Sequence, residues 1–290
     1  MTTTRRLALA LVLAAAPATA GAQVSVIPPE YEERDPPSPA EPGNVCRAPR
    51  TVNPAYEALD YLLSHQLPDG AIVAEDGADG SGLDERGLTG LTVLTMLGQG
   101  IEPDQRKYGA RLALALRALD RRVSGAASVA ESVSESEAIL ALALAEAGRL
   151  LRTDERRSPA VAVLDSVSRR APAGPLALAF LDLAFDSGVR AGLFDPRDRP
   201  RAAPVGDVVA RAAPSRALLF GARVAMRTPW PARPAWAARV RREIIDAQFR
   251  EGKCAASWPA EQGASRVETT AFYLLVELAY YRYPMWFGAR

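Results

Sequence analysis

The sequence is poor in the residues from which many active sites are built. Among its 290 residues there are one histidine (His65), two cysteines and two lysines, and aromatic residues make up 7%. Basic and acidic residues nearly cancel, 35 against 34. This balance offers no field that would attract nucleic acid or an anionic membrane. A catalytic zinc needs three protein ligands, so we predict neither a metal nor a cofactor.

Motifs for nucleotide binding and covalent catalysis are missing as well. The stretch Gly77–Gly82 is not followed by the Lys-Ser/Thr pair that a P-loop needs. There is no Gly-x-Ser-x-Gly sequence, and nothing suggests a Cys/His pair. The sequence therefore gives no support to a phosphate-binding loop or to a serine or cysteine nucleophile.

The N-terminus has the pattern of a secretory signal peptide. Arg5 and Arg6 supply positive charge, Leu7–Pro17 is an apolar run, and small residues around Ala20 offer cleavage sites. The run is too short to span a bilayer comfortably. We expect residues 1–22 to be removed as the protein is exported, to the periplasm or the medium, with no membrane span afterwards. An uncleaved anchor is the alternative.

Residues 23–51 are rich in proline and show no helical periodicity, which predicts a linker or an extended arm. Cys46 lies near the end of this segment, and Cys254 lies far along the chain. In an oxidising compartment such a lone pair is a disulfide candidate. The bond would close a loop of about 200 residues and could contribute roughly 4–5 kcal/mol. Two unrelated free thiols are the alternative.

Residues 52–290 alternate between two kinds of predicted helix. Amphipathic helices begin near 53, 105, 158, 204 and 234, and a more apolar helix follows each. We expect ten helices, no strand, and a start for the third amphipathic helix at Ser158 with Pro159 just inside. A repeated helical hairpin predicts an open solenoid or a closed ring. The lack of charge on the apolar helices favours closure.

The turn after the first helix resembles the repeat of squalene–hopene cyclases and of related terpenoid cyclase/protein prenyltransferase-like toroids. In that repeat a glutamine at a helix end hydrogen-bonds across a turn, and a glycine permits the tight return before an aromatic residue. Gln66 and Gly70 match it, with Ile72 in the aromatic position. The resemblance covers about residues 53–284. It implies an all-α fold, an α/α toroid of about five to six hairpins with the apolar helices inside.

A second copy of this repeat is predicted near the C-terminus. It consists of Gln248, Gly252 and Trp258, with extra residues between the glycine and the tryptophan. The helix that follows, Arg266–Tyr283, is similar to the last inner helix of bacterial prenyltransferase/squalene-oxidase-repeat proteins.

The chemistry of the resembling families carries over poorly. Protein prenyltransferases bind zinc through Asp, Cys and His, but this chain has Thr269 or Thr270 where the histidine would stand. Cyclases protonate an alkene with an Asp in an Asp-rich motif, and the nearest stretch here begins at Asp84 and Glu85, with Leu88 in the place of the acid. We interpret this acidic pair as helix-start residues favoured by the helix dipole. A catalytic pair is the minority interpretation.

No residue is predicted to be catalytic. Capping is the expected role of Glu135 and Glu137, and an inter-helix hydrogen bond that of Glu146. If the ring encloses a cavity, we expect eight residues to line it. They are Asp84, Glu85, Glu137, Trp258, Thr269, Thr270, Tyr273 and Glu277.

Three functions remain open on the sequence alone. The leading hypothesis is an exported toroid without catalysis that binds or scaffolds an apolar ligand, a peptide or a protein partner. The second is a terpenoid-cyclase-type enzyme with a divergent acid. The third is a carbohydrate-active α/α barrel, which would need paired carboxylates and aromatic platforms. A small cavity filled by side chains would favour the first, and cavity-facing carboxylates with raised pKa the second. An open groove lined by Trp and Tyr would favour the third.

Overall fold

A computed structural model describes residues 54–75, 82–125, 131–198, 214–227, 244, 248–249, 255–261 and 263–286. Within these ranges the chain is all-α, with eight α-helices. In chain order they are α1 (Pro54–Ser64), α2 (Glu85–Gly98), α3 (Gly109–Gly125), α4 (Glu135–Leu151), α5 (Asp154–Ser168), α6 (Pro175–Arg190), α7 (Pro214–Arg227) and α8 (Arg266–Trp286).

Several predictions fall outside these ranges and stay predictions. They concern the signal peptide at 1–22, the proline-rich segment at 23–51 and the helix expected to begin near 204. The pairing of Cys46 with Cys254 and the role of Gly252 also fall there, as does most of the helix expected to begin near 234.

The apolar helices form the centre of the described structure. Every residue of Gly87–Gly98 in α2, of Ser136–Gly148 in α4 and of Val267–Leu278 in α8 is buried. Helix α4 packs against α2 on one side and α6 on the other, while α8 packs against α2 and α7. The amphipathic helices cover this layer, with α1 on α2 and α8, α3 on α2, and α5 on α4. Burial on most sides explains why the central helices carry so little charge.

Helix α5 begins earlier than predicted. Thr153 is its N-cap residue, so Ser158 is not the cap and Pro159 lies inside the helix. Asp154 and Glu155 place negative charge in the first turn, where the helix dipole favours it. The start predicted from the Ser-Pro pair was therefore wrong, since this acidic pair precedes it.

Two short strands also depart from the expectation of none. β1 (Ser132–Val133) and β2 (Ala171–Pro172) pair in parallel and lead into α4 and α6. Helices α4 and α6 are neighbours, and the segments that lead into them run in the same direction. These segments can therefore pair in parallel, but only over two residues. They add a link between neighbouring apolar helices without making a sheet layer.

The same turn occurs twice in the structure, before α2 and before α8. In the first copy Gln66 Nε2 donates to the carbonyl oxygen of Gly70 at 3.1 Å. In the second, Gln248 Nε2 donates to the carbonyl oxygen of Ala256 at 2.8 Å. The backbone follows the same path, because Leu67 N–H donates to Ala71 and Phe249 N–H to Ser257, each at 2.8 Å.

The residue two positions after Gly70, and two positions after Ala256 in the second copy, is held in the same way in both turns. Ile72 and Trp258 are fully buried. Ile72 N–H donates to Thr89 Oγ1 at 2.8 Å, and Trp258 N–H donates to Thr270 Oγ1 at 3.2 Å. Each turn is thus attached to the apolar helix that follows it. This alignment places Ala256, with φ +67°, at the position of Gly70, with φ +99°.

Gly70 packs too tightly for any side chain. A Cβ there would lie 2.2 Å from the carbonyl oxygen of Leu114 on α3. Gly192 also has positive φ, at +66°, but a Cβ there would meet nothing within 4 Å. Substitutions at Gly70 and Gly192 therefore distinguish two costs of adding a side chain. At Gly192 only the left-handed conformation is unfavourable, whereas at Gly70 the side chain also collides with the backbone of α3.

We expect Gly70→Ala to lower the free energy of unfolding by about 3 kcal/mol or more. Gly192→Ala should lose only about 1–2 kcal/mol, because it carries the left-handed strain alone. Urea denaturation followed by circular dichroism measures both. Equal losses would mean that α3 moves away and that the close contact is not a constraint.

Ala256 should bear its own strain in the second copy. We expect Ala256→Gly to be more stable than Ala255→Gly by about 1–2 kcal/mol, the cost of a left-handed alanine. Ala255 precedes it in the same turn and does not have positive φ. The same denaturation experiment compares the two variants, and indistinguishable midpoints would refute the proposed equivalence of Ala256 with Gly70.

Candidate functional site

Five helices, α2, α4, α6, α7 and α8, begin at one end of the described structure, which we call the carboxylate end. Asp84 N–H donates to Ser136 Oγ at 3.1 Å and joins the starts of α2 and α4. Leu83 N–H donates to Glu268 Oε2 at 2.9 Å and joins α2 to α8. Arg170, just before α6, reaches Glu137 of α4 at 3.2 Å. Helix N-termini expose N–H groups and positive dipole ends, so carboxylates are favoured here.

Asp84 and Glu85 serve the start of α2. Asp84 is the N-cap residue, and its carboxylate accepts hydrogen bonds from the N–H groups of Arg86 and Gly87. Burial by itself would raise the pKa of Asp84, but the bonds from Arg86 and Gly87 hold it below its ordinary value. Glu85 pairs with Arg122 of α3. An ionised cap is poorly suited to donate a proton to an alkene.

Glu137 closes a capping box at the start of α4. Its backbone N–H donates to Ser134 Oγ at 3.2 Å, and its carboxylate accepts from Ser134 N–H at 3.1 Å. The other carboxylate oxygen accepts from Arg170. Both oxygens are therefore engaged, as the sequence-based interpretation of capping expects.

A buried arginine lies at the centre of the carboxylate end. Arg216 of α7 has a side chain only 8% exposed and bridges two glutamates. Its Nε donates to Glu135 Oε1 at 2.8 Å, and its Nη2 bonds Glu268 Oε1. The guanidinium also lies over the Phe272 ring, 4.9 Å from the centroid. One cation thus joins the N-terminal turns of α4, α7 and α8.

Burial raises the pKa of Glu268 above its ordinary value, although Arg216 and the Leu83 N–H oppose the shift. Nearby Glu135 adds to the rise by repulsion. This is a shared ion cluster in which two carboxylates compete for one guanidinium. Sequence analysis did not predict the role of Arg216, because α7 is amphipathic and nothing in its pattern marks one arginine as buried.

Two further glutamates cap neighbouring helices by the same rule. Glu75 accepts from the N–H groups of Arg266 and Val267 at 2.7 and 3.2 Å, at the start of α8. Glu261 accepts from Ser215 N–H at 3.0 Å and from its hydroxyl at 2.7 Å, at the start of α7. Each glutamate lies three residues after the buried residue of its turn. The turn before α2 therefore caps α8, and the turn before α8 caps α7.

Four of the residues predicted to line a cavity lie around the second turn, near Glu261 and Trp258. Thr269 Oγ1 accepts from the Glu261 N–H at 3.3 Å, and Tyr273 donates its hydroxyl to Glu261 Oε1 at 2.8 Å. Trp258 packs 5.7 Å from the Tyr273 ring and donates its indole N–H to the Ile244 carbonyl. With Thr270, which accepts from Trp258, these residues hold the second turn in place. Glu277, the remaining one of α8, is buried.

Phenylalanines fill the middle of the apolar helices. Phe180 of α6 lies 5.1 Å from Phe220 of α7 and 6.1 Å from Phe272 of α8, measured between ring centroids, and all three are buried. Next to them is a cavity of about 20 Å³. Its lining residues are Leu94, Leu142, Glu146, Phe180, Leu183, Asp186, Ser187, Arg190, Leu219 and Leu275. The eight residues predicted to line a cavity lie elsewhere, and their predicted role stays untested.

Comparison with protein-family models, with curated proteins and with solved structures finds no match for this chain. Among the described residues, no three or more His, Cys, Asp or Glu side chains are grouped so that they could hold a metal ion. None of the helices in the described ranges is long and apolar enough to cross a membrane.

We expect Arg216→Met to lower the free energy of unfolding by about 3–5 kcal/mol at neutral pH, because it leaves the buried Glu268 and the half-buried Glu135 without their cation. The loss should shrink as pH falls. The folded-state pKa of Glu268 already lies above its ordinary value, and without Arg216 it rises further, so protonation at low pH removes the unpaired charge.

Arg169→Met is the matched control, because Arg169 pairs with Asp165 on the surface of α5 with a side chain 73% exposed. It should change stability by no more than about 0.5 kcal/mol at any pH. Chemical denaturation between pH 4 and pH 8 compares the variants. A loss for Arg216→Met that is independent of pH would contradict a role for charge.

Proposed function

We propose that the helices close into a ring, an α/α toroid of five or six hairpins that resembles terpenoid cyclases and protein prenyltransferases. The two capping glutamates support closure. Glu261 links α8 to α7, its predecessor in the chain, and Glu75 links α2 to α8 in the same way. The last described helix is thus followed in space by the first repeat, as in a ring. In an open solenoid the last and first repeats do not meet.

In this proposal the protein is exported and acts as a binding or scaffold protein without catalysis. The observation that carries it is the filled centre, where Phe180, Phe220 and Phe272 occupy the space between the helices. Pockets for small molecules measure about 300–1,000 Å³, against about 20 Å³ for the cavity beside these rings. An isoprenoid would not fit there. The binding surface is then an end or the outside of the ring, and its partner a peptide or a protein.

The carboxylate end supports the same assignment. Asp84, Glu137 and Glu261 are engaged in capping, and Glu135 and Glu268 share Arg216. A general acid must be free to give its proton to the substrate. These groups instead accept hydrogen bonds that hold helices together.

A cyclase-type enzyme is the second candidate, and one observation favours it. Glu268 is buried with a raised pKa, as a proton donor to an alkene would need. Both of its oxygens accept hydrogen bonds, however, from Leu83 and Arg216. A carbohydrate-active barrel receives less support, because Trp258, the one tryptophan whose side chain the structure describes, is buried and forms no open platform.

We expect native mass spectrometry of the exported protein, titrated with farnesol, to show no complex. The triple variant Phe180→Ala, Phe220→Ala, Phe272→Ala should bind one farnesol, because it empties the space between α6, α7 and α8, whereas the loss of one ring opens too little space. Phe185→Ala is the control, since Phe185 is equally buried but pairs with Phe194. The same spectrum reports whether the chain is cleaved near residue 22. A wild-type complex with one farnesol would overturn the filled-centre assignment.

Catalysis is tested separately by incubating the protein with squalene and analysing the extract by gas chromatography. We expect no cyclised product from the wild type or from Glu268→Gln. A product that forms with the wild type and disappears in Glu268→Gln would establish the enzyme and end the scaffold proposal.

A further inference from the structure

The small cavity has one apolar and one polar side. Five helices contribute to its wall. Helices α2, α4, α7 and α8 each supply one leucine, α4 also supplies Glu146, and α6 supplies all the other lining residues. The polar side consists of Glu146, Asp186, Ser187 and Arg190. Such a mixed wall differs from the dry apolar voids that remain empty in proteins.

Ser187 is the unexplained group in this wall. It is only 3% exposed, and its hydroxyl has no hydrogen-bond partner among the described residues. Native proteins rarely leave a buried hydroxyl unsatisfied. The residue lines the cavity, so the space beside it is where a partner can be placed.

Glu146 lies near Ser187 on the neighbouring helix. It is 3% exposed, and its Oε2 accepts from Arg149 Nε and Nη2 at 3.2 and 2.6 Å. Burial raises the pKa of Glu146, while Arg149 and the nearby Ser187 hydroxyl oppose the shift. The Ser187 hydroxyl has no partner at hydrogen-bond geometry among the described residues. It lines the same cavity as Glu146, so a water placed there can bridge the two side chains.

We propose that this cavity is a binding site for a single small neutral molecule, water in the free protein, that bridges the Ser187 hydroxyl and the Glu146 carboxyl. The size fits, because a water needs about 10–15 Å³ of such space and the cavity offers about 20 Å³. The charges around the cavity favour a neutral molecule, because each carboxylate in its wall already has a cation. Glu146 pairs with Arg149, and Asp186 pairs with Arg190.

The site has a structural consequence. The water lies between α4 and α6 in a space that also touches α2, α7 and α8, and it supplies the partner that Ser187 otherwise lacks. A buried water of this kind typically makes about three hydrogen bonds and is costly to remove. It is then part of the packing that holds the helices around one centre.

The sign of a stability change decides between a filled and a dry cavity. If the water is present, Ser187→Ala removes one of its partners and should lower the melting temperature by about 2–4 °C relative to Ser166→Ala. Ser166 is exposed within α5 and measures the helix propensity of the same replacement. If the cavity is dry, Ser187→Ala removes an unsatisfied hydroxyl and should raise the melting temperature above that of the control.

Direct observation does not depend on the variant. In a crystal structure of the full chain we expect one ordered water within hydrogen-bond distance of Ser187 Oγ and a Glu146 oxygen. Oxygen-17 relaxation dispersion in solution should detect a long-lived water that Ser187→Ala releases or shortens in lifetime. An empty cavity, or a Ser187 hydroxyl bonded directly to Glu146, would overturn the proposal.

Discussion

Hydrogen bonds from helix N-termini to carboxylates are the interaction on which the rest of the described structure depends. Five helices that start side by side bring their exposed N–H groups and dipole ends together, and buried N–H groups need partners. Asp84, Glu75 and Glu261 supply oxygens to α2, α8 and α7, and two of these come from neighbouring turns. For α7 and α8, capping and assembly are therefore one operation, because each of these helices finds its cap only when the neighbouring turn is in place.

Arg216 compensates the negative charge of two further carboxylates at this end, those of Glu135 and Glu268. A buried ion pair contributes little net stability compared with apolar packing, but loss of one partner is strongly destabilising. With Glu135 and Glu268 on either side, the guanidinium fixes how α4, α7 and α8 approach one another. The raised pKa of Glu268 is then explained by burial within a shared ion cluster, so a raised pKa alone does not mark it as a catalytic acid.

Much of the fold, but less of the site, can be predicted from the sequence. The alternation of apolar and amphipathic helices can be predicted, because a helix buried on all sides is apolar all round, whereas a helix buried on one side has a polar face. The sequence also predicts the Gln66 turn, since the glutamine and the glycine that form it lie only four residues apart and bond each other directly. The second copy has a weaker sequence signal, because Ala256 lies where a glycine is expected. Arg216 could not be predicted, since its partners are 81 and 52 residues away and only packing brings them together.

The residues predicted to line a cavity show why a polar group on a buried helix does not by itself identify a pocket. Thr269, Thr270 and Tyr273 are polar groups on a buried apolar helix, and the sequence alone cannot say whether they face a ligand or the protein itself. In the structure they bond Glu261 and Trp258, which hold the second turn and the start of α7. A hydroxyl whose hydrogen bond fixes a turn has a structural role that explains its presence without a ligand, even though it keeps further hydrogen-bonding capacity. Polar groups in an apolar helix therefore support a pocket only where their partners within the chain leave them free.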